Sequence, residues 1–413
     1  LSDCHLTGDC CEDLASALCT NQSTLRELEL ERNNLGDLGV KLLSAALKDP
    51  NCKLEKLGLR ECDLTGVCCE DLASALCTNH STLRELELGW NNLGDLGVKL
   101  LSAALKDPNF QLEKLGLNWC SFTRDCCEDL ASALCTNQST LRELELEGNN
   151  LGDSGVKLLS AALKDPNCKL EKLGLRKCDF TGDCGEDLAS ALCANQSTLR
   201  ELELEGNNLG DSGVKLLTAA LKDPNCKLEK LGLGVNCLTG DCCEDLASAL
   251  CTNHSTLREL ELEWNDLEDS GVKLLSAALK DPNCKLKKLG LRGCRLTADC
   301  FEDLASALRT NQSSLRELEL GENDLGDSGV KLLSATLKDP NCKLEKLGLG
   351  GCGLTDDCCE DLAFALRTNQ STLRELELEE NNLGDSGVKL LSAALKDPNC
   401  KLEKLGLKPK EAM

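Results

Sequence analysis

Residues 25–82 read LRELELERNNLGDLGVKLLSAALKDPNCKLEKLGLRECDLTGVCCEDLASALCTNHST, and the 413-residue chain repeats this 58-residue phrase with few changes. Seven of the eight prolines, from Pro50 to Pro398, keep the same 58-residue period. Each phrase holds two similar halves. The pattern Leu-x-x-Leu-x-Leu begins at Leu25 and recurs every 29 residues, at Leu54, Leu83, Leu112 and onward to Leu402, giving fourteen starts. Self-similarity at such a period is the signature of a stacked architecture in which no unit folds alone.

The two halves differ in kind. One reads LRELELERNNL (Leu25 to Leu35) and the other LEKLGLRECDL (Leu54 to Leu64). Leu alternates with polar residues at the start of each, as in a half-buried strand. The ninth position holds Asn33, Asn91, Asn149 and their equivalents in the first kind, and mostly Cys (Cys62, Cys120, Cys178, Cys294, Cys352) in the second. That slot follows the strand, where the backbone turns into the core. A side chain there must satisfy buried backbone groups, which suits Asn. Further on, Val40, Leu43 and Leu47 follow a helical spacing, and Cys69, Leu72 and Leu76 do the same in the next repeat. Asp49-Pro50 ends one helix type because Pro cannot continue it.

Each repeat is therefore predicted as strand, loop and helix, and the fold class as an α/β solenoid. Parallel strands stack about 4.8 Å apart, whereas packed helices need roughly 8–10 Å. The stack is expected to bend into a right-handed βα horseshoe, with the parallel sheet on the concave face and the helices on the convex face. The domain reading is an incomplete first repeat at 1–24, repeats over 25–407 and a tail at 408–413.

Composition narrows the function. Asp plus Glu is 70 against 46 Lys plus Arg, a formal charge of −24. This excludes a nucleic-acid binder and an anionic membrane surface as partners. No run of 18 apolar residues exists to span a bilayer, and the first 30 residues lack a signal-peptide pattern.

The 30 cysteines have three competing readings: disulfides, metal ligands or small core residues. No C-x-x-C occurs. Cys11, Cys69, Cys127, Cys243 and Cys359 share a slot with Gly185 and Phe301, substitutions that a bonded pair or a metal site would not accept. Free, buried thiols are the expectation, and with them a reducing compartment, the cytoplasm. Asn-x-Ser recurs from Asn21 to Asn369 at one loop and is the opposing signal for a secreted, glycosylated chain.

Chemistry is hard to find. His5, His80 and His254 lie in loop slots with no common neighbour, and neither a phosphate-binding loop nor a nucleophile elbow is present. The expectation is a binding protein, not an enzyme, with no cofactor and no metal.

Comparison of the repeats with one another points to a binding surface. Variation is greatest at the seventh and eighth positions, at the strand exit, and positions that vary read as free of scaffold demands. The candidate ligand-binding residues are Trp90, Trp119, Glu147, Arg176, Lys177, Glu205, Glu263, Trp264, Arg292 and Glu322. All three Trp fall at the eighth position, and Trp is enriched at binding hot spots. Their alternative role is covering the adjacent loop. The inward strand positions alternate Glu-Glu (Glu27, Glu29) with Lys-Gly (Lys56, Gly58). These acidic and basic stripes read equally as cross-strand pairing or as attraction for a basic partner.

The units LRELELxxNNLGDxGVKLL and LEKLGLxxCxLTxxCCEDLASAL resemble the ribonuclease-inhibitor-type subclass of leucine-rich repeats over essentially residues 1–407. Two families share that subclass. The phrases KDPNCKLEKLGL and LTGDCCEDLASAL are close to the C-terminal repeat region of NACHT-type innate immune receptors of the pyrin-domain group. The other family is the cytosolic ribonuclease inhibitor, an acidic, thiol-rich horseshoe that captures basic ribonucleases. The chain departs from both in keeping 29 residues in every unit, and from the inhibitor in lacking its caps and its aromatic-rich concave face. The resemblance implies a non-catalytic protein–protein interaction module, the ligand-sensing region of a cytosolic receptor excerpted from a longer chain. Its alternatives are a ribonuclease-inhibitor-like protein binding a basic ligand and a consensus-like engineered scaffold. The partner is expected to be a protein on the concave or strand-exit surface.

Overall fold

The computed structural model describes residues 1–137 and 139–408. The chain divides into two compact units, Leu1–Asn207 and Asn208–Met413.

In the first unit the strands are β1 (Glu27–Glu29), β2 (Lys56–Gly58), β3 (Glu85–Glu87), β4 (Lys114–Gly116), β5 (Glu143–Glu145), β6 (Lys172–Gly174) and β7 (Glu201–Glu203). Its helices are α1 (Cys11–Leu18), α2 (Gly36–Leu47), α3 (Cys68–Leu76), α4 (Gly94–Leu105), α5 (Cys127–Leu134), α6 (Gly152–Leu163) and α7 (Gly185–Leu192). Successive strands pair in parallel with a register of one repeat, so that Leu28 faces Leu57 and Leu57 faces Leu86.

The second unit repeats the arrangement. It contains α8 (Gly210–Leu221), β8 (Lys230–Gly232), α9 (Cys242–Leu250), β9 (Glu259–Glu261), α10 (Glu268–Leu279), β10 (Lys288–Gly290) and α11 (Phe301–Leu308). It continues with β11 (Glu317–Glu319), α12 (Gly326–Leu337), β12 (Lys346–Gly348), α13 (Cys359–Leu366), β13 (Glu375–Glu377), α14 (Gly384–Ala394) and β14 (Lys404–Gly406). Its strands are also parallel and in register. Within each unit the sheet forms one face and the helices the other. The predicted strand–loop–helix order holds in the thirteen repeats that start at Leu25 through Leu373, and the start at Leu402 gives strand β14.

The apolar positions form the core between the layers. Leu57, Val40 and Leu72 are fully buried. Adjacent helices approach closely because one presents glycine to a thiol. A Cβ on Gly97 would meet the Cys69 Sγ at 3.1 Å, and one on Gly155 would meet the Cys127 Sγ at 3.1 Å. The glycine is what leaves the room: in the copy where the column holds Phe301, the buried ring lies over Gly329 in the same way.

The ninth-position Asn does what its slot demands. The Asn91 Nδ2 donates to the carbonyls of Leu59 and Leu88 at 2.8 Å, while its Oδ1 accepts the N–H groups of Cys62 and Leu64 at 3.0 Å. The Cys62 Sγ donates only to carbonyls, the Leu30 O at 3.2 Å and the Arg60 O at 3.4 Å. A second clamp joins the loops. The Thr123 N–H and hydroxyl donate to the Asp95 carboxylate at 2.7 and 2.9 Å, and the contact recurs at Thr65–Asp37, Thr181–Asp153, Thr239–Asp211, Thr297–Asp269 and Thr355–Asp327.

Candidate strand-exit binding surface

The hydrogen-bonded ladder runs past the strands into the variable column. The Trp90 N–H donates to the Asn118 O at 2.7 Å, and the Trp119 N–H to the Glu147 O at 2.6 Å. To turn the chain inward for the ninth position, the eighth residue adopts a left-handed backbone. Its φ is positive in every described repeat, from 50° at Lys177 to 73° at Gly148 and Gly206. Only Gly adopts this conformation without strain. The expectation that variable positions are free of scaffold demands is therefore corrected here: the eighth position varies under a fixed backbone requirement. Trp90, Trp119, Lys177, Trp264 and Glu322 all occupy it as non-Gly residues.

In the first unit the column assembles an aromatic ridge. Trp90 and Trp119 stack with ring centroids 4.9 Å apart and planes 21° from parallel. The other face of the Trp119 indole lies against Gly148, where a Cβ would collide with it. Lys177, one rung beyond Gly148, reaches back to set its Nζ 5.6 Å from the Trp119 ring. Trp90 is half exposed at 50%. It closes one side of a hollow of about 440 Å³ whose other walls include Asp3, Glu31, Arg32, Arg60 and Glu61. Beside the ridge, the Arg176 Nε pairs with Glu205 at 3.0 Å and Glu203 at 3.3 Å. The Glu147 N–H is held by the Asn118 Oδ1 at 3.0 Å.

The second unit gathers the remaining candidates. Trp264 and its neighbour Val235 are exposed by 53% and 50%. The Arg292 guanidinium lies 6.0 Å from the Trp264 ring and pairs with Glu322 at 3.2 Å. The Glu263 carboxylate covers Gly290, whose missing side chain leaves it room. The variable pair at Lys408-Pro409 extends beyond the described residues at Pro409.

On the sheet face the stripes pair with each other. Lys56 meets Glu29 at 2.8 Å, Lys114 meets Glu87 at 3.0 Å and Lys346 meets Glu319 at 2.9 Å. Lys172 sits between Glu145 and Glu203, at 2.7 and 3.5 Å. Burial works against its charge, but the two carboxylates outweigh it and lift its pKa. The pairing mainly uses the fifth-position Glu, although Lys404 reaches both Glu377 at 3.5 Å and the third-position Glu375 at 3.6 Å. At the third position Glu27, Glu85, Glu143, Glu259 and Glu317 hold no ion pair within 4 Å among the described residues.

All thirty cysteines are unbonded to one another. Burial pushes the Cys62 thiol up to about 11 and the Cys120 thiol up to about 12, so both stay protonated near neutrality. At the Asn-x-Ser loops Asn21 is exposed, whereas Ser139 and Ser197 are buried. Among the described residues no helix is long and apolar enough to cross a membrane.

Three features of this surface escaped sequence reasoning: the left-handed column, the Lys177 reach over Trp119 and the Thr–Asp clamp. Glycine at 148, 206, 293 and 351 hinted at the first. The recurring Thr and Asp, 28 residues apart at each clamp, carried the third.

The repeat length, the in-register parallel strands and the inward-turning Asn define a leucine-rich-repeat solenoid, a protein-interaction architecture. The Leucine Rich repeat family matches residues 21–44, 79–102, 137–160, 195–217, 253–276, 311–334 and 369–392, all in repeats of the Glu-Leu-Glu kind. The chain is 47% identical over 233 residues to human NACHT, LRR and PYD domains-containing protein 3, covering 56% of this chain and 22% of the relative. It is 46% identical over 233 residues to human NACHT, LRR and PYD domains-containing protein 12, with the same coverage. Mouse ribonuclease inhibitor is 42% identical over 245 residues, covering 59% of this chain and 53% of the relative. The chain thus spans about a fifth of the NACHT relatives and about half of the inhibitor. In fold it is similar to a chain of the yeast Rad7 and Elc1 complex, with a TM-score of 0.56 at 19% identity, covering 92% of this chain and 85% of that one.

Proposed function

We propose that this chain is the non-catalytic, ligand-sensing repeat region of a NACHT-type receptor. It takes a protein partner on the strand-exit edge and works in the cytoplasm. The stacked pair of exposed Trp90 and half-buried Trp119 carries the reading. Two large aromatics are held on a left-handed backbone, where nothing in the fold requires them. Exposed Trp clusters with a charged rim have the anatomy of a hot spot. Thirty unpaired thiols suit a reducing compartment. Trp90→Ala with Trp119→Ala tests the site: a partner co-purified by the native chain from cytosol should be lost by the double variant, with far-UV circular dichroism unchanged. Undiminished capture would return the tryptophans to loop covering.

Glu27, Glu85, Glu143, Glu259 and Glu317, which hold no ion pair among the described residues, favour a second reading, a ribonuclease-inhibitor-like capture of a basic protein on the sheet face. Titration against a pancreatic-type ribonuclease tests it. Stoichiometric inhibition supports this reading, and absence of binding removes it.

A further inference from the structure

The start edge of the sheet carries its own set of charges, at the second position of each repeat. One kind of repeat places Arg there and the other Glu, and neighbouring rungs pair them. Arg26 meets Glu55, Arg84 meets Glu113 at 3.8 Å and Arg142 meets Glu171 at 2.5 Å. In the second unit Arg316 meets Glu345 at 3.4 Å and Arg374 meets Glu403.

One repeat breaks this alternation. The phrase LKKLGL at Leu286–Leu291 stands where the others have LEKLGL, so Lys287 takes the Glu slot. The Lys287 N–H donates to the Arg258 O at 2.7 Å, and the Lys287 carbonyl accepts the Arg316 N–H at 2.8 Å. Arg258, Lys287 and Arg316 therefore hold one slot on three successive rungs. With strands about 4.8 Å apart, three cations fall in a row about 10 Å long. Arg258 and Lys287 are exposed and hold no ion pair among the described residues, and Arg316 shares its charge with Glu345. In a chain of net charge −24, this is a basic run of three rungs between Glu229 and Glu345.

We propose that Arg258, Lys287 and Arg316 bind the acidic side chains of a protein segment. Like charges at rung spacing repel, and carboxylates between them turn the repulsion into attraction. The exposed Arg258 guanidinium adds a planar fork that matches carboxylate geometry, while the half-buried Arg316 guanidinium, held by Glu345 and the carbonyls of Ser314 and Leu315, adds its charge. The shape of the row selects an extended peptide over a compact anion. Glu259 and Glu317 occupy the adjoining third position, so a small multiply charged ion would meet them as well, whereas carboxylates strung along a peptide follow the cations. This site lies on the start edge and does not depend on the tryptophan surface.

Fluorescence anisotropy with a labelled hexaglutamate peptide tests the proposal on the full chain. The native protein should bind the peptide, and Lys287→Glu should weaken binding by about tenfold or more. That variant restores the Arg–Glu–Arg alternation, so its urea midpoint should hold or rise, and misfolding cannot explain the loss. Equal affinity of the native and Lys287→Glu proteins would overturn the proposal, as would absence of binding to the native chain. Complete displacement of the peptide by an equal charge of inorganic phosphate would also overturn it, because the row would then be a small-ion site.

Discussion

The indole of Trp119 lies against the bare backbone of Gly148, whose φ of 73° and missing side chain make the space it fills. Gly148→Ala should therefore lose stability twice, through backbone strain and through displacement of the ring. We expect a loss of about 2 kcal/mol in urea unfolding and collapse of the Trp90–Trp119 signal in near-UV circular dichroism. Gly36 has a similar φ of 62° and open space around it. Gly36→Ala should lose only about 1 kcal/mol and leave the aromatic signal intact. Equal losses would mean that the indole contact contributes nothing.

Glu268 offers the reverse experiment. It occupies, at φ 54°, the slot that holds Gly36, Gly94, Gly152, Gly210, Gly326 and Gly384 in other repeats. Glu268→Gly should raise stability by about 0.5 kcal/mol, the relief of strain offset by the entropy of Gly. A lower urea midpoint for the variant would count against strain at this slot.

Asn91 holds five backbone groups from two adjacent repeats. Asn91→Ala strands buried donors and acceptors and should cost about 3 kcal/mol. Asn91→Cys, the residue that the alternate repeats use, still donates to carbonyls and should cost clearly less. Indistinguishable midpoints for the two variants would show that the thiol does not substitute for the amide.

The five ninth-position thiols predict alkaline fragility. Burial lifts Cys62 to about 11 and Cys120, Cys178, Cys294 and Cys352 to about 12. Their folded pKa values lie above the unfolded value of about 8.5. Their stabilisation is thus complete below that pH and is lost as pH rises toward 11–12. Each should cost about 1 kcal/mol between about pH 9 and pH 10. Urea midpoints in reductant at neutral pH and near pH 10 check this, and a midpoint that does not move sinks it.

Much of this architecture was legible because repetition multiplies a weak signal. Leu28, Val40 and Asn33 each recur in every equivalent repeat, so strand, helix and inward turn could be read directly. The Trp90–Trp119 contact followed from a spacing of one repeat. What stayed hidden depended on conformation instead of residue type. Nothing in Trp, Lys, Glu or Val announces a left-handed φ. Lys177 reaches Trp119 only because Gly148 leaves the intervening rung bare. The stripes of Glu and Lys were ambiguous because one spacing suits pairing and recognition alike, and only side-chain geometry shows that pairing falls mainly on the fifth-position glutamates.

The alternation of strands also restricts how such a chain can change length. Within each unit every Lys-bearing strand neighbours Glu-bearing ones. Excising one repeat would set Glu-Leu-Glu beside Glu-Leu-Glu, with carboxylates opposed about 4.8 Å apart and no lysine between them. It would also set two helices of one kind together, separating thiols from the glycines they need. Excising two repeats leaves every surviving neighbour as it was. Gain and loss of sequence are tolerated in even steps, and the pair is the smallest part that can be inherited whole.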